Sequence, residues 1–406
     1  MQSVVSILLM SEPKAQTIPS ETFMAAESKV RWRIVHSEAS LGWGGQERRI
    51  LAELEGFRQR GSDVWLLAPS GAEVFHRAQA VSIACEAIDY SRWQFPFTVL
   101  KTAAWLRRVR PHVINTHSSR DGWLVGIAAR MAQVPFIVRT RHFDVPISSR
   151  LISGFVYRRL ADHVLTTSPK VTAHFQVLFH MSADRVTTLP TGIDLFKFSP
   201  HGDLAQLVPN VGQNPVPLVG MVSVIRLAKG HETMIAAASQ LRAEGFAAHY
   251  VIVGDGPNLE RVREKVRALQ LGECVTFTGQ RDDVPAVLRA LSLLVIPSMH
   301  EGIPQTGMQA LATKTPVVAS DVGGIPSIIR PGETGRLVPP GDSTALARAI
   351  RDTLQNTAAT KRMCEAGRAL VEREHGVEGM LDKLELLYRR YLPDIVCCAI
   401  DQRKMV

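Results

Sequence analysis

A single carboxylate, Glu301, opens the stretch HEGIPQTGMQALATKTPVVASDVGGIPSII at residues 300–329. A helix starting near Pro304 would point its first N–H groups at whatever lies beside that acid. Glu301 would repel a phosphate, so it suits hydrogen bonds from sugar hydroxyls. In VIRLAKGHE, Arg226 and Lys229 stand three residues apart ahead of another helix. Such a pair could clamp a diphosphate and neutralise it on departure without a metal, or could be a solvated surface pair.

His117 in INTHSS and His142 in RTRHFD both close expected strands. Histidines placed there could be a metal pair, general bases or donors to substrate hydroxyls, and each taken alone is compatible with a bland role. In HSEASLGWGGQERRI, Gly42, Gly44 and Gly45 follow a strand and open a helix. Backbone N–H groups in such a loop can approach a phosphate or a sugar. The spacing is not GxGxxG, and DVWLLAPS ends in Pro69 and Ser70 where a ribose-binding acid would stand, which argues against a dinucleotide.

Loops of this kind need strands and helices in alternation. From Arg31 short β-branched runs and helical patterns alternate through RIVH, GGQERRILAELEGFRQRG, DVWLLAP, HVINTHS, DGWLVGIAARMA, PFIVRTRH and HVLTTS. In the first helix Ile50, Leu51, Leu54 and Phe57 share a face, and Gly61 falls where a C-terminal cap is expected. Prolines, glycines and asparagines collect between Asp194 and Pro217, after which PLVGMVSVI, HYVIVGDGP, CVTFTG, LLVIPS and PVVAS start a second series. The pattern predicts an α/β protein of two doubly wound parallel sheets, with ligands beyond the strands' carboxyl ends in the cleft between them. The expected boundaries are an N-terminal arm at 1–29, a first domain at 30–205, a second at 206–385 and a tail at 386–406 returning to the first.

A chain of 406 residues, 46% hydrophobic and 21% charged, is long enough for two such cores. No apolar run reaches the roughly 18 residues of a membrane span, and SVVSILLM lacks a signal peptide's basic flank. Cys85, Cys274, Cys364, Cys397 and Cys398 form neither a CxxC pair nor a disulfide framework, so a cytosolic protein is expected. Residues 1–200 carry 24 Lys and Arg against 16 Asp and Glu, whereas the remainder carries 23 against 22. An anionic partner for the first half follows, and no nucleic-acid motif is present to make that partner DNA or RNA. Arg92, Lys101, Arg107, Arg108 and Arg110 interleave with aromatics and leucines in YSRWQFPFTVLKTAAWLRRVR, a composition suited to an anionic membrane surface or to an ordinary packed helix with a basic face.

The order of a glycine-rich loop, a strand-end histidine, Arg-x-x-Lys-Gly-His, GDGP and PSxxEGxPxxxxQAxAxxxPVVAxDxGG resembles glycosyltransferase family 4, from about Arg31 to Tyr391. The likeness is strongest to bacterial enzymes that build cell-surface glycans such as lipopolysaccharide. It implies a GT-B fold and a retaining transfer from a nucleoside-diphosphate sugar to a glycan or lipid-linked hydroxyl. No metal or further cofactor is implied. The expected location is the cytoplasm, at the inner face of the plasma membrane.

By position, the resemblance gives Glu301 contact with the donor sugar, Arg226 and Lys229 the diphosphate, and His142 the reaction centre. It implies donor contacts at Gly44, Gly45, Gly254, Asp255, Gly256, Gly302, Ile303, Pro304, Gln305, Thr306 and Gln309, with His117 on the acceptor side. Three positions depart from the family pattern. Gln309 stands for the usual second acid, the basic pair is closer than Arg-x4-Lys, and Ser327 replaces the acid of GGIPE. Gln309 keeps a second reading open, that of a nucleotide-sugar-binding protein without turnover, and a nucleotide-sugar epimerase is a third.

Overall fold

A computed structural model describes residues 30–91, 93–142, 150–208 and 216–395. The expected arm at 1–29, Arg92 and the Cys397–Cys398 pair lie outside the described residues. Among the described residues thirteen strands form two sheets, and every ladder in both is parallel. The first sheet holds β1 (Arg33–Ser37), β2 (Asp63–Ala68), β3 (Ala84–Ala87), β4 (Val113–Thr116), β5 (Phe136–Arg141), β6 (His163–Thr166) and β7 (Val186–Thr188), in the order β3-β2-β1-β4-β5-β6-β7. The second holds β8 (Leu218–Val222), β9 (His249–Val253), β10 (Val275–Gly279), β11 (Leu293–Ile296), β12 (Val317–Ser320) and β13 (Arg336–Val338), in the order β10-β9-β8-β11-β12-β13. Each sheet reverses direction beside its first strand, so the loops after β1 and β8 open at a switch point.

The central strands are apolar on both faces because helices cover both, and β4, β6, β11 and β12 are buried throughout. The helix Gly45–Gln59 begins with the Glu47 carboxylate accepting from the Gly44 N–H at 2.8 Å. It buries Ile50, Leu54 and Phe57 and stops where Gly61 takes φ +88°.

The last helix, Val377–Tyr391, follows the second domain in sequence and packs with the first in space. Its Met380, Leu381, Leu384 and Tyr388 join the core beneath the first sheet. Tyr388 lies 5.5 Å from the Phe57 ring and 5.7 Å from that of Trp32, while Leu381 fills the space above Gly56. The crossing is marked by a bridge between Ile193 and Gly376, so the chain joins the first domain at about residue 376 rather than 386. This return packing and the link near Ile193 hold the two sheets with their carboxyl edges facing one cleft.

Candidate functional site

The cleft has a volume of about 320 Å³ and takes its walls from both domains. The first domain supplies Trp43 and Gly44 from the loop after β1, Gly45, Gln46 and Arg48 from the first turn of the helix that follows, His142 after β5 and Thr167 after β6. From the second come Ser223 and Val224 after β8, Lys229, Gly254 and Asp255 after β9, Arg281 after β10, and Ser298, Glu301 to Thr306 and Gln309 after β11. Gln305 bridges the two, its Nε2 donating to the Gly45 carbonyl at 2.7 Å.

Glu301 sits in a polar corner of this space. Its Oε2 accepts from Lys229 Nζ at 2.5 Å and from Ser298 Oγ at 3.1 Å, with both charged side chains largely shielded. The helix Gln305–Ala312 starts beside it at Pro304 with no side chain capping its first amides. An uncapped helix start, a lysine and a glycine loop together favour a bound anion, while Glu301 and Gln309 offer acceptors to hydroxyls. The glycine pair at 323–324 lies behind the loop: Gly324 donates to the Gly302 carbonyl at 3.1 Å, and Gly323, at φ +57°, lies against the Glu301 carbonyl.

Most residues singled out from sequence converge here, but Gly42, Arg226, Gly256 and His117 do not. Arg226 is exposed and lies outside the cleft walls, because Val224 faces the cleft, Ile225 turns into the core and Arg226 then points to solvent. Gly256 packs against the Ile225 backbone, where a Cβ would overlap it, and so supports the loop from behind. His117 is buried behind His142, with its Nδ1 2.9 Å from Nε2 of His142. It does not line the cleft.

Several neighbours escaped the sequence reading. Trp43 lies under two guanidinium groups, Arg48 at 5.1 Å and Arg77 at 4.6 Å. Arg281 lies in the wall opposite, held by both oxygens of Asp283. Glu38 accepts from the Ala39 and Ser40 amides at 2.8 Å each and from Gln46 Nε2, which folds the glycine loop back on itself. Burial, with the charge of Asp121 second, raises its carboxyl to about 7. His36 continues the histidine line, its Nδ1 2.9 Å from Nε2 of His117. Burial lowers His36 to about 4 and holds His117 and His142 well below the usual range, nearby positive charges adding to it for the latter two, so all three rings are neutral at pH 7. A neutral imidazole both donates and accepts one hydrogen bond.

Among the described residues no three His, Cys, Asp or Glu side chains gather as a metal site. No helix of the described residues is long and apolar enough to cross a membrane.

Residues 43–196 match the family described as Glycosyltransferase Family 4, and residues 210–370 that described as Glycosyl transferases group 1. A 2-deoxystreptamine N-acetyl-D-glucosaminyltransferase of Streptomyces fradiae is 30% identical over 292 residues, 66% of this chain and 69% of the relative. The Escherichia coli UDP-Gal:alpha-D-GlcNAc-diphosphoundecaprenol alpha-1,3-galactosyltransferase is 26% identical over 60% of this chain and 67% of its own length. In fold, the chain is similar to Anabaena HepE in complex with UDP-glucose, with a TM-score of 0.75, 20% identity, and coverage of 87% of this chain and 98% of that one.

Proposed function

Since the chain belongs to the group 1 and family 4 glycosyltransferases, we propose that it passes a sugar, with retention, from a nucleoside-diphosphate sugar to a hydroxyl of a cell-surface glycan or lipid-linked acceptor. The observation that carries this reading is the two-walled cleft itself. One corner offers Lys229 and a free helix start to an anion, and the next offers Glu301 and Gln309 to hydroxyls. That is the charge pattern of a sugar joined to a diphosphate. A relative named for a UDP-sugar donor and a lipid-diphosphate acceptor, and a fold neighbour solved with UDP-glucose, support the same substrates.

In the proposed reaction the diphosphate enters beside Lys229 and draws the ammonium away from Glu301. The freed carboxylate then accepts from the sugar's hydroxyls, and Lys229 neutralises charge as the sugar–oxygen bond breaks. Backbone N–H groups at Gly45 and the start of the helix at Gln305 share that charge. Attack comes from the face the diphosphate leaves, through an oxocarbenium-like state, and His142 sits in the wall beside it. We propose that these groups suffice without a divalent ion. The acceptor approaches from the more basic first domain at an anionic membrane surface on the cytoplasmic side.

The test is transfer from a panel of nucleotide sugars to lipid-linked glycans, with and without EDTA. Acceptor-dependent release of nucleoside diphosphate that survives EDTA, and a product with the donor's anomeric configuration, is the expected result. Glu301→Gln should lower kcat about 100-fold or more. Nucleotide release without an acceptor would favour an epimerase, and donor binding without turnover a binding protein.

A further inference from the structure

Among the described residues three arginine and lysine side chains line the cleft, and two of them are already held by a carboxylate. Lys229 has Glu301, and Arg281 has both oxygens of Asp283, at 2.8 and 2.5 Å. Arg48 is the third. Among the described residues no carboxylate pairs with it: its guanidinium lies over the Trp43 ring at 5.1 Å, and the charges of Asp282 and Glu47 act on it only from beyond contact. Both of those acids are engaged elsewhere, Asp282 with Arg77 at 3.3 Å and Glu47 with the Gly44 N–H at 2.8 Å.

The position is electrostatically poor for a cation. Arg48 stands in the first turn of the helix Gly45–Gln59, at the positive end of its dipole, where an acid is favoured. The guanidinium of Arg77 shares the Trp43 ring with it, at 4.6 Å. Arg48 is also partly buried, and burial, with the Arg77 charge second, pulls its guanidinium below the usual arginine range. Arg77 escapes these penalties, because Glu73 at 2.7 Å and Asp282 neutralise it and it does not line the cleft. Local electrostatic rules broken at one residue, in the wall of a ligand cleft, indicate that the compensating charge arrives with the ligand.

We infer that Arg48 is a donor-binding residue whose guanidinium takes phosphate oxygens of the nucleoside-diphosphate sugar from the side of the first domain. Gly45, three residues earlier on the same helix, has its carbonyl bonded by Gln305 at 2.7 Å, and Gln305 opens the helix beside Glu301. Lys229 thus meets the diphosphate from the second domain and Arg48 from the first, so Arg48 supplies the second cation that Arg226, in solvent, does not. A guanidinium resting on an indole ring is oriented before the ligand arrives, and its planar fork matches two phosphate oxygens.

This deepens the glycosyl-transfer reading and rests on it for the donor. The experiment is calorimetric titration of the full chain with UDP-, GDP- and ADP-glucose, then with the nucleoside diphosphate and the free nucleoside of the sugar that binds tightest. Wild type, Arg48→Met and Arg48→Lys are compared: methionine covers Trp43 without a charge, and lysine keeps the charge without the fork. Arg48→Met should weaken the nucleotide sugar and the diphosphate about tenfold or more and the nucleoside less than about twofold, while Arg48→Lys stays within about threefold of wild type. The unliganded methionine variant should melt within about 2 °C of wild type, since the cation it lacks had no partner to lose. A methionine variant that binds the diphosphate as wild type does overturns the inference. Equal losses on diphosphate and nucleoside overturn it in favour of a contact to base or ribose, and a lysine variant as weak as methionine overturns the role of the charge. Intact donor affinity with a raised KM for a lipid-diphosphate acceptor overturns it in favour of the acceptor. Arg48→Gln gives the same reading should the methionine variant not fold. If wild type binds none of the three nucleotide sugars, it is the transfer reading that fails, whereas wild-type binding beside an indifferent methionine variant overturns this inference alone.

Discussion

Two side chains were expected to share a cationic task, and of these Lys229 lines the cleft and Arg226 does not. Lys229 pairs with Glu301 at 2.5 Å inside the cleft, while Arg226 stands in solvent on the far side of Ile225. A group already shielded and held beside the site pays little further entropy when a diphosphate arrives, whereas an exposed arginine has no geometric claim on it. Arg226→Ala is therefore expected to change donor affinity less than about threefold, and Lys229→Ala to weaken it about tenfold or more, a loss near 1.4 kcal/mol. Calorimetric titration with a nucleotide sugar checks both, and equal losses would restore the paired clamp. At this scale Glu301, Lys229, His142, Gln309 and the glycine loop were legible because each follows a strand, and strand ends face the cleft in any doubly wound sheet. The exposed position of Arg226 was not legible, because a spacing of three does not say which face a residue takes outside regular structure. His36 and Glu53 were invisible for another reason. His36 meets His117, and Glu53 meets His36, only because β1 lies beside β4 and beneath the first helix, and that adjacency is topology.

At the scale of elements, the site depends on one loop holding another. The turn after β12 lies against the loop after β11, so the position of Glu301 is set by a segment more than 20 residues on in the chain. Gly323 is in the left-handed region, and a Cβ there would overlap the Glu301 carbonyl. Gly323→Ala should thus displace the carboxylate: donor affinity should fall about tenfold or more while the melting temperature drops by only a few degrees, since the loops are at the cleft and away from the core. Titration and a thermal melt of the same sample check this, and intact affinity would remove the buttress. The central strands and most helices were readable from β-branched runs and apolar spacing. The three unread strands, β3, β7 and β13, all stand at a sheet edge and are only three or four residues long. An edge strand with half-exposed residues, such as Ala84–Ala87, has no continuous apolar run to signal it.

On the whole molecule, charge and exposed apolar surface coincide in the first domain. The helix Phe95–Val109 buries Val99, Ala103 and Leu106 against the sheet and turns Phe97 and Leu100 to solvent, with Trp93 just ahead of it. Trp93 and Phe97 are 96% and 83% exposed, and exposed apolar side chains that are grouped rather than scattered mark an interaction surface. Lys101, Arg107, Arg108 and Arg110 are on the same helix or at its end, within a half that carries nearly all of the net positive charge. The loop leading into the helix leaves β3 at the carboxyl edge of the sheet, the edge that faces the cleft. A surface bound there would hold a lipid-linked hydroxyl near the donor, and each cation near an anionic surface contributes about 1 kcal/mol. Vesicle flotation should accordingly show binding that needs anionic lipid, weakens as salt is raised, and falls about tenfold or more in a Trp93→Ser, Phe97→Ser double variant. Transfer to a soluble acceptor analogue should be unchanged in that variant, because neither ring lines the cleft. Binding indifferent to lipid charge, or flotation undiminished in the double variant, would assign the basic half to the substrate alone.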